Sequence, residues 1–338
     1  MKKISVLVPT YNEEGNVEPM AAAIDNLFQN ELKNYSYELV FIDNNSKDTT
    51  RVRLREICKK NKNVKAIFNA NNFGWMRSPI YGLQQTTGDC TVLLCADFQE
   101  PVEMIPKFVK EWENGYKIVV GIKNNSKESK LFYFLRSCYY KLIGKFATVE
   151  QIEHFTGFGL YDKDFIQVLR DLHDPMPYIK GIVAELGYKR KEIEYTQQER
   201  KSGKSKGSFW NLYDTAMLGI TSYTKVVLRL ATIFGFIFST LSFRGAVVFL
   251  ILKLTMWYKF PMGIAPILIG MFLIGAVQMF FIGLLGEYIL NINTRIMDRP
   301  LVIEEERLNF ETGDDSDTEI NETSIQNSNQ KNDMEEQL

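Results

Sequence analysis

Three short stretches of this chain carry side chains that could do chemistry together. Leu93-Leu94-Cys95-Ala96-Asp97-Phe98-Gln99-Glu100-Pro101 is an apolar run that ends in a carboxylate, an amide and a proline. Pro9-Thr10-Tyr11-Asn12-Glu13 and Asp43-Asn44-Asn45-Ser46 each follow another apolar run. A nucleotide needs an aromatic or apolar shelf for its base, carboxylates or amides for base and ribose, and a divalent cation for its diphosphate. These stretches supply such groups, with Asp97 the candidate metal and leaving-group residue. Taken alone, Asp97 is equally well explained as the cap of a helix starting near Val102. A fourth stretch, Gln198 to Gly207, is a basic loop with two glycines suited to wrapping a phosphorylated ligand; a plain surface loop is the competing reading.

The elements that must position these groups follow from the spacing of apolar residues. Strands are expected at Ile4 to Val8, stopping at Pro9, and at Glu38 to Ile42, Val64 to Asn69 and Thr91 to Cys95. Helices are expected between them: one opened by Asn12-Glu13-Glu14 and running to about Asn30, one from Thr49 to Lys60, and one after Asn71-Asn72-Phe73-Gly74. Strands alternating with helices at this spacing imply a mainly parallel sheet with helices on both faces, and ligands in such folds bind at the carboxyl ends of the strands. A helix at about 102 to 114 and a strand at Lys117 to Gly121 continue the pattern. Leu131 to Phe146 reads as an aromatic, basic helix, Phe155 to Tyr161 as a strand, Asp162 as a helix cap, and Lys191 to Tyr195 as a late strand.

Composition narrows the chemistry. The 338 residues carry a net charge of -1, which conceals a basic body and an acidic end. Residues 304 to 338 hold 12 acids and 2 bases, leaving 38 bases and 29 acids in the rest. A basic body suits an anionic ligand or an anionic membrane surface. Cys58, Cys90, Cys95 and Cys138 lack CxxC spacing and read as reduced, buried small side chains. With only His154 and His173, a histidine metal centre or a Ser-His-Asp site is not expected. No GxGxxG or GxxxxGK[ST] stands at a strand end, which argues against dinucleotide and P-loop folds.

Two long apolar runs follow the basic loop: residues 230–252, with Arg244 the sole charge, and 260–286, with none. About 20 such residues cross a bilayer as a helix, so two spans are expected. Trp257 and Tyr258 lie in the connecting segment, while Lys225, Arg229, Arg295 and Arg299 flank the outer ends. That asymmetry places both termini and the α/β domain in the cytosol, on the cytoplasmic membrane. Residues 304–338 are polar and acidic, and a disordered cytosolic tail is expected there.

In order along the chain, PTYNEE, D-N-N-S-x-D, NFG, ADFQEP, an RxxGxSK loop and two apolar runs resemble the family 2 glycosyltransferases of glycosyltransferase-A fold. Within them the likeness is to the polyprenyl-phosphate (bactoprenol) glycosyltransferases and relatives of dolichyl-phosphate mannose synthase, and it covers about residues 3 to 300. The resemblance implies an α/β glycosyltransferase domain over 1–207, a juxtamembrane amphipathic helix over 208–229, and the two spans. It implies a nucleotide-sugar donor, UDP-glucose or UDP-N-acetylglucosamine, and a polyprenyl (undecaprenyl) phosphate acceptor. Mg²⁺ or Mn²⁺ is the implied cofactor, and no nucleic acid is expected among the partners. Carried over by position, Pro9, Tyr11, Glu13 and Asp43, with Asp97, contact the nucleotide. Asp97 and Gln99 ligate the metal, Arg200 and Lys206 clamp phosphates, and Asp97 and Arg200 carry catalysis. Relatives suggest a homo-oligomer through the spans.

Two positions depart from the family pattern. Cys95 stands where many relatives have the first aspartate of a D-x-D motif, and Asn44 where they have a second aspartate after Asp43. A neutral thiol is a poor ligand for a hard cation, so Asp97, Gln99 and donor phosphates are left to hold it. The implied reaction is inverting: a lipid-phosphate oxygen attacks the anomeric carbon and the nucleoside diphosphate departs. A processive polysaccharide synthase would need more spans and a Q-x-x-R-W motif, absent here. A catalytically inactive membrane scaffold is the alternative that Cys95 and Asn44 motivate.

Overall fold

A computed structural model describes residues 1–124, 152, 154–198, 200, 217–218, 226–255, 264–297 and 299–310. The expected helix at Leu131 to Phe146, the amphipathic helix but for Met217, Leu218 and its last residues, Lys206, and the acidic end beyond Phe310 lie outside them. Strands are β1 (Lys3–Thr10), β2 (Ser36–Asp43), β3 (Val64–Asn69), β4 (Cys90–Leu93), β5 (Ile118–Lys123), β6 (Phe155–Asp162), β7 (Arg190–Tyr195) and β8 (Glu304–Leu308). Helices are α1 (Val17–Asn30), α2 (Thr50–Lys60), α3 (Gly74–Gln85), α4 (Ile105–Glu113), α5 (Lys163–Asp171), α6 (Ile179–Glu185), α7 (Val226–Thr255) and α8 (Ile264–Ile296).

One eight-stranded sheet runs β7-β5-β6-β4-β1-β2-β3-β8. The pairs of β1 with β2 and β4, of β2 with β3, and of β5 with β7 are parallel; β6 and β8 run against their neighbours. The sheet is therefore mixed rather than a simple parallel run. The strand expected to extend it after α4 does not pair with β4; β6, which comes later in sequence, is inserted antiparallel between them. That insertion needs close backbones: a Cβ on Gly159 would lie 2.5 Å from the Val119 carbonyl oxygen on β5.

Period-two alternation divides each strand between two cores. Ile4, Val6 and Val8 of β1, Leu39 and Phe41 of β2, and Cys90 and Val92 of β4 pack with Met20 and Ile24 of α1 and Phe108 of α4. Leu7, Val40, Ile42 and Leu93 face the opposite side, against Ile80 and Leu83 of α3 and Phe165 and Leu169 of α5. At the amino ends of the strands, buried Glu38 accepts from Ser5 Oγ at 2.6 Å and pairs with Lys3 and Lys65 Nζ at 2.9 and 2.7 Å. That brace leaves the carboxyl ends to carry the loops.

Several expectations change. β1 does not stop at Pro9: Pro9 and Thr10 remain in register with Ile42 and Asp43. The proline is tolerated because β4 pairs with β1 only as far as Leu7, so no donor is required there. Residues 304–308, expected within a disordered tail, form β8 against the edge of β3. The physical reason is charge: Glu305 and Glu306 meet Arg51 and Arg55 of α2 at 2.8 and 2.5 Å. The two apolar runs form α7 and α8, whose large side chains, Phe236, Phe243 and Met279 among them, stand exposed. Among the described residues one segment, Leu273–Ile296, is long and apolar enough to cross a membrane by length and composition. It passes beyond the expected end at Gly286 because the helix continues through Glu287 to Ile296.

Candidate functional site

The loops after β1, β2 and β4 converge because those strands are adjacent and parallel. Each loop turns at one non-glycine residue in the left-handed region: Asn12 at φ 54, Asn45 at φ 62 and Phe98 at φ 58. Asparagine tolerates that region, whereas for phenylalanine it is rare and strained. The β4 loop is thus held in shape by its surroundings.

The first two loops are laced together. Asp43, fully buried at the end of β2, accepts from Ser46 N at 3.1 Å and from Ser46 Oγ. The same hydroxyl accepts from Asn12 N at 2.8 Å, and Asn12 Oδ1 accepts from Lys47 N at 2.7 Å. Glu13 N donates to Thr50 Oγ1 at 2.9 Å, and the Glu13 carboxylate accepts from Asn16 Nδ2 at 2.6 Å. Pro9, Tyr11, Glu13 and Asp43 therefore stand on one edge. Asp43 does not cap α2, which begins at Thr50. Burial raises its carboxyl above the ordinary range, opposed by the Ser46 hydrogen bonds and by Arg51.

Asn44 performs work that an aspartate could not. Its Nδ2 donates to Asn72 Oδ1 at 2.8 Å and to the Gly74 carbonyl at 3.2 Å, while its Oδ1 accepts from Phe73 N at 2.9 Å and Asn69 Nδ2 at 3.1 Å. This fastens the Asn72-Phe73-Gly74 turn to the site edge. The amide at this position thus has a structural task.

At the β4 edge, Asp97 is 8% exposed and does not cap a helix. The 3-10 turn at Val102–Met104 begins after Pro101 and has no side-chain cap. Asp97 Oδ1 instead accepts from Gln99 N at 3.2 Å, and Oδ2 pairs with Arg200 Nε at 3.1 Å. The same Nε lies 3.1 Å from Gln99 Oε1, and Gln198 N donates to the Gln99 carbonyl at 3.1 Å. Gln198 and Arg200, the described residues of the basic segment, thus lie against the Asp97 loop, and Asp97, Gln99 and Arg200 are in direct contact. Asp97 and Gln99 offer two oxygen donors side by side. Mg²⁺ and Mn²⁺ are hard cations that take oxygen ligands, and Mg²⁺ completes its shell with water and substrate phosphates. The pair fits a cation that arrives with a diphosphate. It is not a preformed cage: among the described residues no three His, Cys, Asp or Glu side chains converge to hold a metal.

Cys95, expected to be buried, is reached by solvent at the surface of the loop. Protein atoms crowd its other sides, and these, then Glu100 and Asp97, push its thiol well above the ordinary range. Sequence reasoning also passed over Glu100 and Arg51. Glu100 is buried behind the loop, accepting from Cys95 N at 2.8 Å and Thr156 Oγ1 at 2.9 Å. Burial pushes its carboxyl up to about 7, against those hydrogen bonds. Its place in the ADFQEP run was the available signal. Arg51 had none, because its acidic partner on β8 is 254 residues away.

The family model described as "Glycosyl transferase family 2" matches residues 5–187. A protein named bactoprenol glucosyl transferase from Shigella phage SfX is 31% identical over 300 residues, covering 88% of this chain and 97% of its own. A prophage bactoprenol glucosyl transferase homolog from Escherichia coli is 31% identical over 289 residues, covering 85% and 93%. Among solved structures, glucosyl-3-phosphoglycerate synthase from Mycobacterium tuberculosis overlaps with a TM-score of 0.43 at 17% identity, covering 65% of this chain and 76% of its own. That overlap is too loose to carry weight.

Proposed function

The chain belongs to glycosyl transferase family 2, and from that membership we propose that it transfers a sugar, with inversion, from a nucleoside-diphosphate sugar to a polyprenyl phosphate at a membrane surface. The supporting observation is the meeting of Asp97, Gln99 and Arg200 on the same strand edge as Asp43 and Tyr11. Relatives spanning nearly all of this chain carry the name bactoprenol glucosyl transferase, which motivates the lipid acceptor. The donor we favour is UDP-glucose or UDP-N-acetylglucosamine.

In this reading Pro9, Tyr11, Glu13 and Asp43 receive the nucleoside. Asp97 and Gln99 would hold Mg²⁺ or Mn²⁺ on the diphosphate, where such a cation neutralises charge developing on the leaving group. Arg200, which bridges Asp97 and Gln99, would exchange those contacts for diphosphate oxygens, with Lys206 of the same loop as a second phosphate contact. A lipid-phosphate oxygen forms the new bond to the anomeric carbon, and the bond to the diphosphate breaks with its electron pair leaving on the diphosphate. A phosphate monoester is already anionic near neutral pH, so no strong general base is needed. Positioning of the two phosphates beside each other supplies the rest.

The exposed apolar surfaces of α7 and α8 suit two membrane spans that would hold the domain on the cytoplasmic face of the cytoplasmic membrane. Oligomerisation through these helices is a further part of the proposal. Membranes containing the chain, given a panel of labelled nucleotide sugars, undecaprenyl phosphate and Mg²⁺ or Mn²⁺, should form one chloroform-soluble glycolipid. Absence of product from every donor would favour the inactive scaffold; a growing polymer would favour a processive synthase.

A further inference from the structure

The strand that closes the sheet reaches into the proposed nucleoside site through one arginine. Arg51 Nε lies 3.4 Å from Asp43 Oδ2, and Arg51 Nη2 donates to Glu305 Oε2 at 2.8 Å. The guanidinium also lies over the Phe68 ring, 5.0 Å from its centroid. Arg55 lies over the same ring at 4.7 Å and meets Glu306 at 2.5 Å. Two neighbouring acids of β8 therefore hold two arginines on one aromatic ring, and Glu305 is linked to Asp43 through Arg51.

Arg51 Nε is buried and makes no hydrogen bond. It stands close enough to Asp43 to share charge without a direct bond, while its other end pairs with Glu305 on β8. Asp43 already accepts twice from Ser46. A guanidinium released from Glu305 is free to form a direct, charge-assisted bond to the carboxylate, competing with any donor that a nucleobase or ribose presents there.

We propose that Glu305 is a positioning residue for nucleoside binding: by holding Arg51 at its ion-pair distance, it keeps the guanidinium from taking up the buried Asp43 carboxylate that the donor is to meet. This rests on the reading of Asp43 as a nucleoside contact. It gives β8 a task beyond covering the edge of β3. The sheet strand that follows the long helix α8 tunes affinity at a site built from residues near the amino terminus.

The test uses the full-length chain in detergent, with uridine diphosphate and Mg²⁺ as the probe in calorimetric titration, alongside steady-state transfer. Glu305→Ala should weaken uridine diphosphate binding about three- to tenfold, the scale of one charge contact, and raise donor KM with little change in kcat. Glu305→Asp should recover most of the affinity. Glu306→Gln, which breaks the neighbouring ion pair on the same strand, should stay within about twofold of wild type. In an Arg51→Met background, Glu305→Ala should have no further effect. Unchanged affinity in Glu305→Ala, or an equal loss with Arg51 already removed, overturns the inference. If Asp43→Ala loses binding while Glu305→Ala does not, the inference fails and the functional reading stands. If wild type binds no nucleoside diphosphate at all, both fail.

Discussion

Charge at the β4 edge is balanced by three side chains: Asp97, Arg200 and, behind them, Glu100. Arg200 is the counter-ion of Asp97 at 3.1 Å, and in the proposed reaction donor binding would exchange that ion pair for one with the diphosphate. Glu100 serves differently, tying the Cys95 amide to Thr156 from a buried position. Its folded-state pKa is raised to about 7 from 4.5, so its contribution to stability is full below pH 4.5 and is lost as pH rises to about 7. Glu100→Gln should flatten that part of the stability profile, read as thermal midpoint against pH between 4.5 and 7. An unchanged slope would contradict the assignment. At Asn44, substitution by aspartate removes the donor to Asn72 and Gly74 and sets a carboxylate against the Asn72 side-chain oxygen and the Gly74 carbonyl. Asn44→Asp should therefore cost about 1 to 3 kcal/mol in denaturant unfolding. A variant as stable as wild type would mean that the amide is not what fastens the turn.

At the scale of elements, the site depends on how β6 enters the sheet. Gly159 faces the backbone of β5 so closely that a methyl group has no room, and the neighbour is a carbonyl that cannot rotate away. Gly159→Ala should destabilise the fold by roughly 1 to 3 kcal/mol or more, measured as a shift in denaturation midpoint. Little or no shift would show the two strands to be less closely paired. This part of the fold was not legible in the sequence. Apolar runs marked the strands at Val64, Thr91, Phe155 and Lys191 with small errors at their ends, because local alternation reports local structure. Strand order is decided by pairing between distant segments, and nothing near Phe155 announces that it will lie between β4 and β5. β8 was hidden for a related reason. Glu304-Glu305-Glu306-Arg307-Leu308 has the composition of a solvated tail, and it becomes a strand only because Arg51, Arg55 and the open edge of β3 receive it. Of the site, Asp43, Asp97, Gln99 and Arg200 were visible as residue types at strand ends or in a glycine-containing basic loop. The exposed Cys95 and the roles of Asn44 and Arg51 required the folded chain.

For the whole molecule, an α/β domain with its candidate site at the carboxyl ends of the strands is joined to two long helices that expose many large apolar side chains among their described residues. After α8 the chain returns to the domain: Arg295 pairs with Asp174 at 3.1 Å, Arg77 Nη2 donates to the Pro300 carbonyl at 2.5 Å, and β8 then closes the sheet. Those contacts fix the domain to the base of the helix, as the proposed transfer to a lipid headgroup requires. The full chain should stay in the membrane pellet through an alkaline carbonate wash and leave it only with detergent; release by carbonate would contradict the spanning reading. The central claim is that the Asp97 edge transfers sugar from a nucleotide to a lipid phosphate. The most direct measurement is the initial rate of labelled glycolipid formation from the accepted nucleotide sugar and undecaprenyl phosphate, compared between wild type and Asp97→Ala after both are shown to be equally folded in detergent. The account predicts a product from wild type and a fall of at least about a hundredfold in the variant. Near-normal turnover in Asp97→Ala would contradict it.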